Sequence, residues 1–300
     1  MAEFYLSAFA DEAGGSLEEQ INALSDNEIS YIEPRFIDKK GVITLSDEEL
    51  VDIKKRLDEK GIRVGSLGSP IGKFPIEGNF DEQLAQFERA LRACEILGAD
   101  RMRVFSFYVP KDKLDEYRSE VMRRMSELVR IASRRGITLC HENEEGIYGE
   151  EPERVEDLLN TVEGLSGIFD AANYCAVGSD PVRGIDVTLP HLNYVHIKDA
   201  IQKGKPGTED SMIIVPAGDG DGRIGEALEK IDAAYSGRIM LTLEPHLYSS
   251  DAYRGVDSRN LVSVKVFDNE REAFDYAAKA LKKLLSDIGF VCLDGVYKKN

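Results

Sequence analysis

The 300-residue sequence predicts an α/β fold: a (β/α)8 TIM barrel, built as a single domain over residues 1–300. Three observations lead there. Apolar, strand-like runs alternate with amphipathic helical runs along the whole chain, the order that gives a parallel sheet. Eight runs of the first kind and about eight of the second make a full circuit, and the length suits one barrel with a well-buried core. Four of the later strand-like runs close on metal-type side chains: Glu142, Asp170, His196 and Glu244. The first three stand 28 and 26 residues apart, about one β-α unit, and the fourth follows a longer insertion.

FYLSAF (Phe4–Phe9) opens as the first strand. SLEEQINAL follows as a helix whose Ser16 faces Glu19 in a capping box. ISYIEPR (Ile29–Arg35) is the second strand. LSDEELVDIKKRLDEKG is a helix capped by Ser46 and stopped by Gly61. IRVGSLG (Ile62–Gly68) is the third strand, and residues 81–97 form an amphipathic helix stopped by Gly98. RMRVFSF (Arg101–Phe107) is the fourth strand, and the long helix 113–135 ends at Gly136. ITLCHE is the fifth strand, followed by a helix from Pro152, a residue suited to a first turn. LSGIFD and LNYVHI are the sixth and seventh strands. The helix between them is weakly signalled, with only SDPVRGIDVTLPHL available. A short helix within 222–235, the eighth strand RIMLTLE and a closing helix 270–288 complete the circuit. The tail GFVCLDGVYKKN is apolar enough to pack back onto the barrel. Two insertions, 203–222 and 246–267, follow strands seven and eight, on the face where barrel enzymes carry substrate-facing loops.

Composition narrows the function. The formal net charge of −17 repels phosphate backbones, so nucleic acid is a poor partner; a small anion held by a local basic cluster is still allowed. No apolar run approaches the roughly 18 residues needed to span a membrane. The first residues, MAEFYLSAFADEAGG, lack the basic-then-apolar pattern of a signal peptide, so a cytoplasmic location is the default. Cys94, Cys140, Cys175 and Cys292 have no metal-type spacing and read as reduced thiols.

In a barrel, side chains at the C-terminal ends of successive strands converge on one pocket. A lone carboxylate at a strand end is usually a cap or an ion-pair member, and a lone strand histidine is usually a core residue. Two Glu, one Asp and one His at four consecutive strand ends instead suit one divalent ion: Mn, Co, Mg or Zn. Such an ion chelates a carbonyl and a neighbouring hydroxyl of a ketose and stabilises the enediolate. One carboxylate then removes the proton and the other returns it. GDGDG (Gly218–Gly222) lacks the Lys-Ser/Thr of a phosphate loop and reads as a turn before a helix.

HENEEGIYG, FDAANY, VHIKDA and LEPHL, with FADEAG, YIEPR, SLGSPIGK and RVFSFY earlier, resemble the sugar phosphate isomerase/epimerase superfamily of xylose isomerase-like TIM barrels. The resemblance covers nearly the whole chain and is specific for the superfamily, not for a substrate. It implies metal ligands at Glu142, Asp170, His196 and Glu244. It also implies catalytic acid/base roles for Glu142 and Glu244, and an orienting role for Asp199 toward His196. The chain departs from many relatives at Asn173, where they carry His, and at Asn143 and Glu144, after the strand-five Glu. The His set of the multi-zinc endonucleases is missing.

Glu33, Arg35, Lys73, Arg103, Lys198 and His246 are the substrate-binding candidates. The four cations offer local charge for a phosphate or carboxylate, and His246 either donates to a substrate hydroxyl or braces Glu244. His141 alternates away from Glu142 and reads as structural, as does His191, before strand seven. The expected function is a metal-dependent isomerase or epimerase of a keto-sugar or sugar phosphate, acting through a metal-bound enediolate. The rivals are an inosose-type dehydratase and a non-catalytic sugar-binding barrel. The expected partner is a small sugar, with no nucleic acid and no membrane; barrels of this type often pair, which leaves a homodimer open.

Overall fold

Eight strand segments circle the protein and carry their C-terminal ends to one mouth. They are β1 (Ala2–Ala8), β2 (Tyr31–Ile32), β3 (Arg63–Val64), β4 (Arg101–Val104), β5 (Thr138–Glu142), β6 (Ser166–Asp170), β7 (Leu192–Ile197) and β8 (Gly237–Leu243). The computed structural model describes residues 1–206, 208, 211–248, 263 and 265–299. Six of the strands form a parallel run in the order β1-β8-β7-β6-β5-β4. The parallel pair β2–β3 completes the circuit through single backbone bonds. Glu33 N–H reaches Ala8 O at 3.0 Å, Leu67 N–H reaches Arg101 O at 3.1 Å, and Arg103 N–H reaches Leu67 O at 3.0 Å.

The second and third strands are shorter than the sequence suggests, Tyr31–Ile32 against Ile29–Arg35 and Arg63–Val64 against Ile62–Gly68. Pro34 has no N–H to give a ladder. Beyond Gly65 only single bonds continue the contact, Gly68 N–H to Pro34 O at 3.0 Å on one side and Leu67 N–H to Arg101 O at 3.1 Å on the other. The fourth strand likewise ends at Val104. Phe105 and Phe107 bond to Ile71 O and Gly72 O, and Phe107 takes a left-handed φ of 68°. Gly72 is obligatory in that crossing: its φ is 95°, and an added Cβ would lie 1.9 Å from Phe105 O.

Nine helices among the described residues cover the outside: α1 (Leu17–Asp26), α2 (Asp47–Glu59), α3 (Phe80–Leu97), α4 (Leu114–Ser133), α5 (Pro152–Thr161), α6 (Ala171–Val177), α7 (Pro181–Thr188), α8 (Ile224–Ala234) and α9 (Glu270–Asp287). Both expected Ser caps form: Ser16 and Ser46 accept from Glu19 N and Glu49 N, and the two Glu side chains answer as capping boxes. The weakly signalled segment after strand six is two short helices. Left-handed Gly178 ends the first, and Asp180 with Pro181 starts the second. The tail forms a hairpin, Val291–Leu293 and Val296–Lys298, that pairs antiparallel with β1. No helix among the described residues is long and apolar enough to cross a membrane.

Strand alternation splits the core in two. Leu, Ile, Val and Ala side chains on the outer strand faces pack under the helices. The lumen is filled by a separate layer of Tyr5, Cys140, Ile168, Tyr194 and Met240, with Tyr31 against it. Two residues further along the same faces, β5, β6 and β7 present Glu142, Asp170 and His196, so the apolar layer is the floor of the site. Burying these rings and sulfurs contributes roughly 25 cal/mol per Å2 of apolar surface.

Candidate metal centre

Glu142, Asp170 and His196 end or nearly end β5, β6 and β7, and Glu244 immediately follows β8. One ligand atom from each lies within 4.8 Å of the others, and all four residues are buried. His196 Nδ1 is 3.1 Å from a Glu142 oxygen and 3.4 Å from a Glu244 oxygen. Asp170 Oδ2, His196 Nδ1 and Glu244 Oε2 are fully buried, and Lys198 Nζ lies 2.9 Å from the first and 3.6 Å from the third. Carboxylates converging at such depth are costly unless something electropositive serves them; Lys198 and His196 do so here, and a metal ion could add to Lys198 in place of the imidazole proton. Three carboxylates and one imidazole form a donor set suited to Mn2+, Mg2+, Co2+ or Zn2+, so these residues fit a divalent ion.

The supporting contacts are local and specific. Asp170 Oδ1 accepts from Asn173 N at 3.0 Å, so the side chain caps α6 while its other oxygen faces the cluster. Asn143 bridges strand ends by bonding both Asp170 N and Asp170 O. Asn173 donates to Glu142 at 3.3 Å and to Asn143 O at 2.8 Å. The two departures from the relatives' His pattern therefore act here as amide braces.

Each of the four cation candidates is engaged by acid. Arg103 meets Glu142 at 3.0 Å, and Arg35 meets Asp11 at 2.9 Å and Glu244 at 3.0 Å. Lys198 meets Asp170 at 2.9 Å, and Lys73 meets Glu144 at 2.9 Å nearer the surface. Both guanidiniums stack on Phe9, 4.5 and 4.9 Å from its centroid. Phe9, Asp11 and Glu12 were missed in the sequence, although their place just after strand one was a usable signal. Glu12, Glu244 and His246 also offer ligand atoms within 4.8 Å of one another, with Arg35 3.6 Å from Glu12 and 3.0 Å from Glu244.

These neighbours set the proton affinities. Burial raises Glu142, but His196 and Arg103 outweigh it and hold the carboxyl below its usual range. Glu244 is pulled far lower: burial opposes, while Lys198, His246, His196 and Arg35 prevail. Asp170 goes the other way, to about 7, because burial exceeds the pull of Lys198 and Glu244 and Glu142 add repulsion. Burial depresses His196, yet Glu142 and Glu33 lift it to about 10. A bound metal ion would take the place of that imidazole proton. His141 faces away, bonds Ser106 Oγ at 2.9 Å and is pushed down by burial to about 3.

The expected pairing of Asp199 with His196 is not what the structure has. Asp199 accepts the N–H groups of Ala200, Gly218, Gly220 and Gly222, fastening the GDGDG turn ahead of α8. Glycine N–H groups converging on a carboxylate outcompete a distant ring. Glu33 instead lies 3.3 Å from His196 Nε2. His246 packs on Glu12 and Glu244, and His191 bonds Asn160 at the surface. Within the 203–222 insertion, Met212–Val215 pairs antiparallel with Asp199–Gln202, just before it. Most of the 246–267 insertion lies outside the described residues.

A family model described as xylose isomerase-like TIM barrel matches residues 21–284. The chain belongs to that family. Among solved structures it resembles the IOLI protein with a zinc atom, at 18% identity and TM-score 0.73, covering 95% of this chain and 99% of that one. A barrel protein from Mycobacterium smegmatis in complex with magnesium gives 16% identity and TM-score 0.67, covering 95% and 97%. A D-psicose 3-epimerase solved with D-fructose gives 16% and 0.66, covering 93% and 97%. At these identities the likeness shows the fold alone. No curated protein matches the chain.

Proposed function

We propose that this barrel is a divalent-metal-dependent isomerase or epimerase of a keto-sugar or sugar phosphate, working by proton transfer between Glu142, Glu244 and a carbon next to the ketone. The observation that carries the reading is the buried cluster of Glu142, Asp170, His196 and Glu244, with ligand atoms within 4.8 Å of one another and two Glu flanking the His. A divalent ion, when bound, supplies a Lewis acid for the charge that develops on the ketone oxygen. Glu142 and Glu244 come from β5 and from the end of β8, with β6 and β7 between them. They therefore approach a small ligand from different sides. His196 and Arg103 hold Glu142 ionised, and Lys198, His246, His196 and Arg35 hold Glu244 ionised, as a proton acceptor must be at rest.

The D-psicose 3-epimerase and L-ribulose 3-epimerase among the structural neighbours, and the magnesium- and zinc-containing barrels, support the class of reaction and of cofactor. Four free cysteines fit the cytoplasmic location that the reading includes. The test is solvent exchange: metal-loaded protein is incubated in D2O with ketoses and their phosphate esters, and the C–H next to the ketone is followed by NMR. Deuterium incorporation, lost in Glu142→Gln and Glu244→Gln, is expected. Turnover without incorporation would exclude the mechanism, and a product lighter by one water would mark a dehydratase.

A further inference from the structure

Beneath the cluster runs a chain of hydrogen bonds that no substrate need touch. Ser66 Oγ is 3.0 Å from Tyr194 OH, Tyr194 OH donates to Glu33 Oε1 at 2.7 Å, and Glu33 Oε2 lies 3.3 Å from His196 Nε2. Glu33, Ser66 and His196 are each 0% exposed, as is Tyr194. Tyr194 and His196 are alternate residues of β7 and share its lumen face, and Glu33 reaches them from the end of β2, across the lumen.

We infer that Glu33, held by Tyr194 and Ser66, is the positioning residue that keeps a proton on His196 Nε2 and so presents the Nδ1 lone pair to the metal. An ionised carboxylate only accepts hydrogen bonds. Tyr194 takes one Glu33 oxygen, and the other therefore requires N–H from His196 Nε2. With Nε2 protonated, a neutral imidazole has its lone pair on Nδ1, the atom that stands among the other candidate ligands, 3.1 Å from Glu142 and 3.4 Å from Glu244. A carboxylate behind a ligating imidazole fixes its ring and raises its basicity, and losing one weakens metal binding about 10–100-fold. Asp199 cannot serve, because four backbone N–H groups occupy it. Glu33 thus belongs to the metal centre and not to the substrate wall, a role that rests on the metal-binding part of the proposed function.

The chain has only four His residues, so the 15N ring spectrum of histidine-labelled protein resolves His196 directly. Zn2+ is titrated into wild type, Glu33→Gln, Tyr194→Phe and Asp199→Asn. In loaded wild type, His196 should show a protonated Nε2 and a zinc-bound Nδ1. Zinc affinity should fall about 10–100-fold in Glu33→Gln and less in Tyr194→Phe, and stay within about two-fold in Asp199→Asn. A zinc-bound Nε2 in wild type, or a Glu33→Gln affinity within about two-fold of wild type, overturns the inference while leaving the metal site standing. Should Glu33→Gln fail to fold, the wild-type ring signature and Tyr194→Phe still decide. Wild type that takes up no Zn2+ overturns the metal reading itself and this inference with it.

Discussion

Replacing Asp170 by Asn should stabilise the metal-free protein while removing its affinity for divalent ions. Asp170 is fully buried and its carboxyl is raised from 3.8 to about 7, by burial first and then by Glu244 and Glu142, against the pull of Lys198. In the unfolded chain it titrates near its ordinary value. Between about pH 4 and 7 the folded state binds more protons than the unfolded one, so stability falls as pH rises through that window and the loss is complete above it. At about 1.4 kcal/mol per unit, roughly 3 units amount to ~4 kcal/mol. The Asp170→Asn variant escapes that penalty, but its single amide oxygen can keep the cap on Asn173 N or face Lys198, not both, so one of these contacts is lost. The net gain should be about 2–4 kcal/mol. With unfolding entropy of about 2.1 cal/mol/K per residue over 300 residues, Tm should rise by about 3–6 °C. The assay is thermal unfolding in chelator at about pH 8, repeated at about pH 5, where the advantage shrinks, and then with Mn2+. Metal at about 1,000 times its Kd adds ~4 kcal/mol to wild type and should cancel the variant's lead. An Asp170→Asn variant that is less stable than wild type in chelator, or that binds Mn2+ as tightly, would refute the reasoning.

Other consequences are as direct. Glu142→Gln and Glu244→Gln should each lower solvent exchange by about 10^2–10^4-fold with unchanged circular dichroism, since each removes one proton-transfer group. His141 is held neutral by burial, at about 3 against 6.5, so the unfolded state binds the extra proton and wild-type stability is lost as pH falls. His141→Gln should therefore gain on wild type by about 2 kcal/mol between pH 7 and 5, read from urea midpoints. Gly72→Ala should destabilise severely, because its Cβ would meet backbone at 1.9 Å at a φ of 95°. Gly65→Ala meets side chains, Met240 Sδ at 2.4 Å and Tyr31 Cβ at 3.6 Å, which can shift where backbone cannot, and should cost less than Gly72→Ala, about 1–3 kcal/mol by the same measurement.

Much of this was legible in the sequence because barrels translate strand ends into positions. Period-two alternation put His196 and Lys198 on one face and turned His141 away from Glu142, and S-x-x-E and Gly stops marked helix ends. The structure bears out the xylose isomerase-like family and the TIM-barrel fold. What escaped depends on contacts between distant strands. Nothing in HIKD says that Asp199 prefers glycine N–H groups 19 to 23 residues away to the neighbouring imidazole. Nothing in YIEPR says that Glu33 lies against a ring 163 residues later. Pairing of Arg35 with Asp11 and Arg103 with Glu142 likewise follows from how loops fold over Phe9, which no local period encodes. Short ladders at β2 and β3 were overestimated because apolar runs there continue into mouth loops.

The most direct test of a metal centre at these strand ends is anomalous diffraction from crystals of the protein soaked in Mn2+. The predicted result is one strong peak bonded by Glu142, Asp170, His196 Nδ1 and Glu244. Absence of a peak there, or a peak held instead by Glu12, Glu244 and His246, would contradict it.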